Sequence, residues 1–344
     1  MLRILENYSL LPHNSFGLDV KAHTFVEYDS VESLQEYIKS GSTKPLLHIG
    51  GGNNLLFTRD FAGTILHSAI KGKQLIADTG VGGDKDRVGG VSSVMLRVGA
   101  AEVWDDLVAW TLANGYYGLE NFSLIPSEVG AAAVQNIGAY GAEAKNFIRT
   151  VDTVDLTSGE AVVFSNKECQ FAYRYSNFKG PWAGRYAITH VTFCLSTVFT
   201  PNLTYRALQQ ATSSVSDAHQ LRQAVVDMRR SKLPEPSKLG NAGSFFMNPI
   251  MTLEQFSALQ HAYPYIPHFP AGDGFVKVPA AWLTEQCGWK GRDLGRAGVY
   301  ERQPLVLVNR GGANGVDVLR LAEAVISDVK AKFGIELHPE VMII

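Results

Sequence analysis

The stretch "PLLHIGGGNN" (45–54) runs a short apolar segment directly into three consecutive glycines. An apolar run of this length bounded by glycine reads as a buried strand. A strand that empties into glycines turns with its backbone N–H groups uncovered by side chains, so those groups are able to converge on an anion. An ordinary tight turn uses the same letters. The string is not G-x-G-x-x-G, because position 55 is Leu55, and no Gly-Lys-Ser/Thr follows to make a Walker loop. Upstream, Asp29 or Ser30 caps a helix through about Ser40, with Val31, Leu34 and Ile38 on one face and Gly41 as its stop. The first third of the chain is therefore a compact α/β unit.

A second unit opens near Val91. "VMLRVGA" (94–100) reads as a strand, and "AEVWDDLVAWTLANG" (101–115) as a helix with Trp104, Leu107, Val108 and Leu112 inward and Asn114-Gly115 at its C-terminal end. Between the units, "DTGVGGDKDRVGG" (78–90) reads as an exposed hairpin tip. Residues 151–165 and 185–198 are β-rich, with "TSGE" as a turn. The pattern changes near residue 200. A helix is expected at 217–230, then the Pro/Gly-rich connection "KLPEPSKLGNAGSFF" (232–246), further helices at 252–262, 278–287 and 315–333, a strand at 304–309 and the strand-like close "ELHPEVMII" (336–344). The expected class is α+β, with two N-terminal units and a C-terminal one.

A chain of 344 residues accommodates two or three domains at roughly 100–200 residues each. The formal net charge is −2 and the basic residues are scattered, so there is no electrostatic footprint for nucleic acid or a membrane surface. No apolar run reaches the ~18 residues of a membrane span, and the N-terminal stretch is too interrupted by Glu6, Asn7, Pro12 and His13 to read as a signal peptide. Cys169, Cys194 and Cys287 stand apart without metal-ligand spacing, which favours a reducing compartment over a disulfide framework or a zinc site. Small-molecule chemistry is the remaining class.

Four stretches and one lone carboxylate could carry that chemistry. In "SLIPSEVGAAAVQNIGAYG" (123–141), Pro126 and Ser127 suit a helix start, and the small residues Gly130 to Ala133 suit either close helix-to-sheet packing or a cofactor lying across the helix. In "CQFAYRYSNFK" (169–179), Arg174 sits among Phe171, Tyr173 and Tyr175, either stacked at a surface or held ready to neutralise a carboxylate. "VDMRRSKLPEP" (226–236) puts Arg229, Arg230 and Lys232 at a helix C-terminus, where the macrodipole favours cations and where an anionic ligand would also be met. "GNAGSFFMN" (240–248) places the Ser244 hydroxyl in permissive backbone beside two phenylalanines that could exclude water. Glu340, taken alone, is a solvated residue near the end of the chain.

Together with "NSFGLD" (14–19), "GGGNNLLF" (50–57) and the closing "LHPEV", these stretches resemble, in wording and order, the UDP-N-acetylenolpyruvoylglucosamine reductase family, also called UDP-N-acetylmuramate dehydrogenase, from about Asn14 onward. The resemblance implies a two-unit FAD-binding fold of the vanillyl-alcohol-oxidase type, at 14–90 and 91–200, and a C-terminal α+β substrate domain at 201–344 whose last strand returns Glu340 to the active site. It implies an NADPH-dependent reduction of the enolpyruvyl ether of UDP-N-acetylglucosamine-enolpyruvate in bacterial cytoplasmic peptidoglycan precursor synthesis, with hydride passing through FAD. Residue by residue, it implies Ser244 as proton donor and Arg174 and Glu340 as stabilisers of the developing charge. Tyr205, Lys232, Asn248 and Gln303 would bind substrate, and Gly50, Gly51, Gly52, Asn53, Asn54, Ile125, Pro126, Gly130, Ala131 and Arg229 would line the FAD. Tyr205 places the chain in the family's longer class, with a tyrosine that closes over the nucleotide. The wording departs from the family at Ser127, where glycine is usual, at Ala131, where a hydroxyl residue is expected, and at Met247, where lysine is common. A monomer is expected, since no apolar stripe calls for a partner. An FAD-dependent oxidase of the same fold and a catalytically silent sugar-nucleotide binding protein are the rival readings; the first has no use for "GNAGSFF", and the second requires loss of Ser244, Arg174 or Glu340.

Overall fold

The computed structural model describes residues 1–344 except 42–44, 77–86, 89–90 and 212–214. Most of the expected hairpin tip at 78–90 lies outside the described residues. The chain forms two compact units, one made of Met1–Tyr8, Ala22–Gly51 and Ala62–Arg229, the other of Ser9–Lys21, Gly52–Phe61 and Arg230–Ile344.

The first unit is built on two sheets. In one, the order is Leu2–Ser9, Lys21–Tyr28, Phe61–Ser68, Leu46–Ile49, the last two pairing in parallel. Parallel neighbours suit strands buried on their faces, and Ile65 and Leu66 are fully buried. The helix Val31–Lys39 packs Leu34 and Tyr37 onto Val26, Tyr28 and Leu66. Its N-cap is Ser30, whose side chain accepts from the Ser33 N–H while Ser33 bonds back to the Ser30 N–H.

The other sheet runs Ala161–Ser165, Ile148–Asp155, Tyr186–Ser196, Val91–Gly99, Lys73–Ile76, antiparallel throughout. Trp104, on the helix Trp104–Ala113, is fully buried and meets Phe122 and Phe193 edge to face at 5.7 and 5.9 Å. Edge-to-face contacts of this kind add about 1 kcal/mol each beyond burial. The short helix Val129–Gln135 starts later than Pro126 and Ser127 suggest, with Glu128 as its N-cap residue. The cause lies elsewhere in the chain: Ser127 C=O accepts from the Trp104 N–H at 2.9 Å, which ties residues 126–127 to the neighbouring helix start.

In the second unit a four-stranded sheet runs Asn241–Ser244, Val306–Asn309, Ala297–Val299, Asp293–Leu294. Against it packs the helix Gly315–Phe333 with Val318, Leu321, Ala322, Val325 and Val329 buried. Asn314 and Asp317 form a reciprocal N-terminal cap and Gly334 closes the helix at φ 70°. A small sheet of Ile250–Thr252, Phe275–Lys277 and Phe269–Pro270 adjoins the helix Leu253–Ala262. The closing stretch is strand only at Met342–Ile343, which pairs in parallel with Leu55–Leu56. Among the described residues no helix is long and apolar enough to cross a membrane.

Candidate active site

In the first unit, the strand Leu46–Ile49 delivers Gly50 against the helix Val129–Gln135. A Cβ on Gly50 would lie 3.0 Å from Ala131 Cβ and 3.1 Å from Glu128 Oε2, and one on Gly130 would lie 2.9 Å from Ala100 Cβ. A Cβ on Gly130 would therefore displace Ala100, and one on Gly50 would need Ala131 and the Glu128 side chain to give by a few tenths of an ångström. At the helix start the Gly130 and Val129 amides donate to Ala100 and Glu102 carbonyls and Ala132 donates to Glu128, while the Ala131 amide has no acceptor among the described residues. Ser127 does not have a positive φ, so a side chain replaces glycine there without strain.

Leu124, by contrast, does carry strain, at φ 61°. It is clamped from both sides. Its N–H donates to Asp105 Oδ1 at 2.5 Å, and its carbonyl accepts from Arg229 Nε at 3.2 Å. Asp105 is in turn held by Arg222 in a fork of 2.7 and 2.9 Å. Burial opposes the Asp105 charge, but the hydrogen bonds and charge of Arg222 outweigh it and hold the carboxyl below its ordinary range. Arg229 is also hydrogen-bonded to the Tyr140 phenol, and burial pushes its guanidinium down from its ordinary value against the pull of Tyr140 and Asp105. This framework sets the half-buried Ile125 and the exposed Pro126 that follow. Tyr140 meets the exposed Tyr205 edge to face at 5.3 Å.

Near Gly50 the structure holds a group that sequence reasoning missed. His67 Nδ1 lies 3.2 Å from Glu27 Oε2 and its Nε2 lies 3.6 Å from Glu128 Oε1. Burial disfavours the imidazolium, yet bonding and charge from Glu128 and Glu27 overcome that and raise His67 above its ordinary value. Alongside, Tyr28 Oη and His48 Nε2 are 2.7 Å apart, and burial together with the charge of His67 pushes His48 down to about 4.

Arg174 sits in a two-residue turn closed by Ala172 N–H to Tyr175 O at 3.0 Å and Tyr175 N–H to Ala172 O at 3.1 Å. Its φ is 54°. The guanidinium lies 5.1 Å from the Tyr173 ring centroid and donates to Gly138 O at 2.8 Å. A Cβ on Gly138 would stand 2.8 Å from an Arg174 terminal nitrogen, so glycine makes the guanidinium seat.

Ser244 and Glu340 both belong to the second unit, on neighbouring backbone segments. The strand Asn241–Ser244 pairs with Val306–Asn309 through a register shift between Asn241 and Ser244. Gly243 supplies that bulge at φ 71°, and its N–H donates to Asn241 Oδ1 at 2.9 Å. A bulge re-aims the residue beside it, here Ser244. Gly240 is needed for a different reason, since a Cβ there would lie 2.2 Å from Phe16 O. Phe245 and Phe246 are 0% and 1% exposed. They therefore anchor the strand in the core. The Glu340 N–H donates to Phe245 O at 2.7 Å, and the Met247 N–H to His338 O at 2.9 Å. Two adjoining extended segments thus carry Ser244 and Glu340, with Glu340 bonded through its backbone to the residue after Ser244.

Asn54 holds the Glu340 segment. Asn54 Nδ2 donates to Glu340 O at 3.1 Å, and Asn54 O accepts from the Met342 N–H at 3.0 Å. Gly52, at φ 69°, passes so close to His13 that a Cβ would lie 1.8 Å from its carbonyl oxygen, and Asn53 follows it half-buried. Asn248 Oδ1 accepts from the Ala280 N–H at 2.9 Å, Gln303 O accepts from the Val306 N–H at 3.0 Å, and Lys232 ends the helix Ala218–Lys232. Among the described residues no group of His, Cys, Asp and Glu could hold a metal ion.

Comparison with known proteins follows this division. The sequence profile of an FAD-binding domain matches residues 22–165, and that of the UDP-N-acetylenolpyruvoylglucosamine reductase C-terminal domain matches residues 235–344. The chain is 49% identical over 341 residues to the UDP-N-acetylenolpyruvoylglucosamine reductase of Bacteroides fragilis, covering 98% of each chain. It is 45% identical over 343 residues to that of Porphyromonas gingivalis, again covering 98% of each. Among solved structures, UDP-N-acetylenolpyruvylglucosamine reductase from Thermus caldophilus shares the fold, with a TM-score of 0.66 at 20% identity over 100% of this chain and 98% of that one.

Proposed function

The chain belongs to the UDP-N-acetylenolpyruvoylglucosamine reductase family, and from that premise we propose that it reduces UDP-N-acetylglucosamine-enolpyruvate to UDP-N-acetylmuramate with NADPH, in the bacterial cytoplasm and as a monomer. Bound FAD supplies the relay that carries hydride from NADPH to the substrate. The residues proposed to hold it are Gly50, Gly51, Gly52, Asn53, Asn54, Ile125, Pro126, Gly130 and Ala131, within FAD-binding subdomains at 14–90 and 91–200, together with Arg229 from beyond them. The substrate domain is proposed at 201–344.

Reduction adds hydride to the methylene carbon of the enolpyruvyl ether and a proton to the adjacent carbon. Hydride addition leaves an enolate, so the protein must stabilise negative charge and then deliver one proton. Arg174 neutralises charge at the carboxylate end as a planar donor. Glu340 is assigned with it to stabilise the developing enolate. The Ser244 hydroxyl gives its proton to the carbon, and the bulge at Gly243 with the buried Phe245 and Phe246 that hold its strand support that assignment. Tyr205, Lys232, Asn248 and Gln303 are assigned to the nucleotide and sugar, with Lys232 facing the diphosphate as a compact cation.

The observation that carries this reading is the Glu340 N–H to Phe245 O bond, which sets the carboxyl and the hydroxyl on neighbouring segments. The test is spectroscopic. Purified protein should show an oxidised flavin spectrum that bleaches with NADPH under anaerobic conditions and recovers when the enolpyruvyl substrate is added. A protein that cannot be loaded with FAD, or whose reduced flavin is reoxidised by oxygen alone, contradicts the proposal.

A further inference from the structure

Lys179 has no part in the reaction as described above. Its ammonium donates to Gln135 Oε1 at 2.7 Å and to the backbone carbonyl of Arg174 at 3.1 Å. Arg174 occupies the second central position of its turn at φ 54°, where glycine or asparagine is the ordinary choice. An L-residue with a Cβ is disfavoured there, so the arginine is kept in that position at a cost to the backbone.

The surroundings show how the turn is held. Helix Val129–Gln135 ends at Asn136, which is fully buried and left-handed at φ 46°. Asn136 Nδ2 donates to Ala172 O at 2.8 Å, and Ser176 Oγ donates to Val134 O at 2.7 Å. These bonds fix the residues that flank the turn. Within the turn, the Arg174 peptide is held by Lys179, and the Gln135 side chain holds Lys179 in turn. A charge-assisted bond to a carbonyl is the stronger kind, and rotating the Arg174 peptide would swing its side chain away from Gly138 O, the acceptor of its guanidinium.

We infer that Lys179 is a positioning residue for Arg174: its ammonium locks the left-handed turn, so that the guanidinium is presented in one orientation to the substrate carboxylate. The inference rests on the reading of Arg174 as the charge-neutralising group. Misplacement of a reacting partner by about 1 Å costs up to ~100-fold in rate. Loss of one supporting bond should cost less, on the order of tenfold.

The test uses the FAD-loaded full chain with Lys179→Met, Lys179→Arg, Arg174→Ala and the double variant Lys179→Met/Arg174→Ala. Lys179→Met should slow substrate-driven reoxidation about tenfold while anaerobic flavin reduction by NADPH stays within about twofold of wild type. Lys179→Arg should restore most of the loss. In the Arg174→Ala background, Lys179→Met should add less than about twofold, because the group it positions is gone. Calorimetry gives a readout independent of turnover. Lys179→Met should weaken binding of the enolpyruvyl substrate to the oxidised enzyme and leave UDP-N-acetylglucosamine, which lacks the carboxylate, unchanged.

A full tenfold loss in both backgrounds, or equal weakening of both ligands, overturns the inference and makes Lys179 a general structural residue. An Arg174→Ala variant with wild-type reoxidation overturns instead the reading of Arg174 on which it rests. If Lys179→Met does not fold, Lys179→Gln keeps one donor, and the same comparison across the two backgrounds decides.

Discussion

Two glycines in one short string should fail for opposite reasons. At Gly243 a Cβ would meet nothing within 4 Å, but φ is 71°, so Gly243→Ala suffers only the left-handed backbone penalty of about 1 kcal/mol. At Gly240 the Cβ would fall 2.2 Å from Phe16 O and 2.7 Å from its carbonyl carbon, both backbone atoms that cannot rotate away. Gly240→Ala must push the two chains apart. That move strains the Asn241 N–H to Ser15 O bond at 2.9 Å and the Asn309 Nδ2 to Phe16 O bond at 3.0 Å. Overpacking of about 2 kcal/mol plus two bonds at about 1 kcal/mol each gives about 4 kcal/mol. Thermal unfolding of the FAD-free protein should show Gly243→Ala within a few degrees of wild type and Gly240→Ala lowered several times as far. Flavin assays should reverse the order among folded protein, since Gly243→Ala disturbs the bulge that aims Ser244. Equal melting shifts for the two variants would refute the idea that one glycine is required by contact and the other by conformation.

Other outcomes follow from the same geometry. His67 is raised above its ordinary value of about 6.5 by Glu128 and Glu27 against the effect of burial, so its contribution to stability is full below that pH and is lost as pH rises through the raised value; the melting difference between wild type and His67→Gln should shrink from pH 6 to pH 9, and a constant difference contradicts the charged bridge. Asn314→Ala removes the capping oxygen that accepts from the Asp317 N–H at 2.9 Å and should cost about 1 kcal/mol in denaturant unfolding without changing flavin spectra. Leu124→Gly relieves the positive φ at 61° but loosens the clamp set by Asp105 and Arg229, so FAD affinity measured by fluorescence titration should fall while melting of the FAD-free protein stays within a few degrees.

How much of this was legible in the sequence depended on how local the cause was. The helix Gly315–Phe333 was readable end to end, because its capping residues and Gly334 are neighbours in the chain. The start of Val129–Gln135 was not, because its first amides are satisfied by Glu102 and Ala100 from another segment and residue 127 is tied to Trp104. The glycines of "GNAGSFF" were visible as letters, yet the reason for Gly240 lies in the backbone of Phe16, far away in the chain, which no periodicity reveals. The same holds for His67, whose partners Glu27 and Glu128 come from separate strands and loops. Glu340 read as a solvated residue until the resemblance named it. Its bond to Phe245 and the parallel pairing of Met342–Ile343 with Leu55–Leu56 give the physical reason that it does not fray.

The proposed mechanism stands or falls on Ser244 giving the proton in the substrate half-reaction. Stopped-flow absorbance of FAD-loaded Ser244→Ala, mixed first with NADPH and then with the enolpyruvyl substrate, separates the two halves. Flavin reduction should stay within about twofold of wild type, and reoxidation should slow by at least ~100-fold, the range of a lost general acid. Equal slowing of both half-reactions, or unimpaired reoxidation, would show that the proton comes from elsewhere.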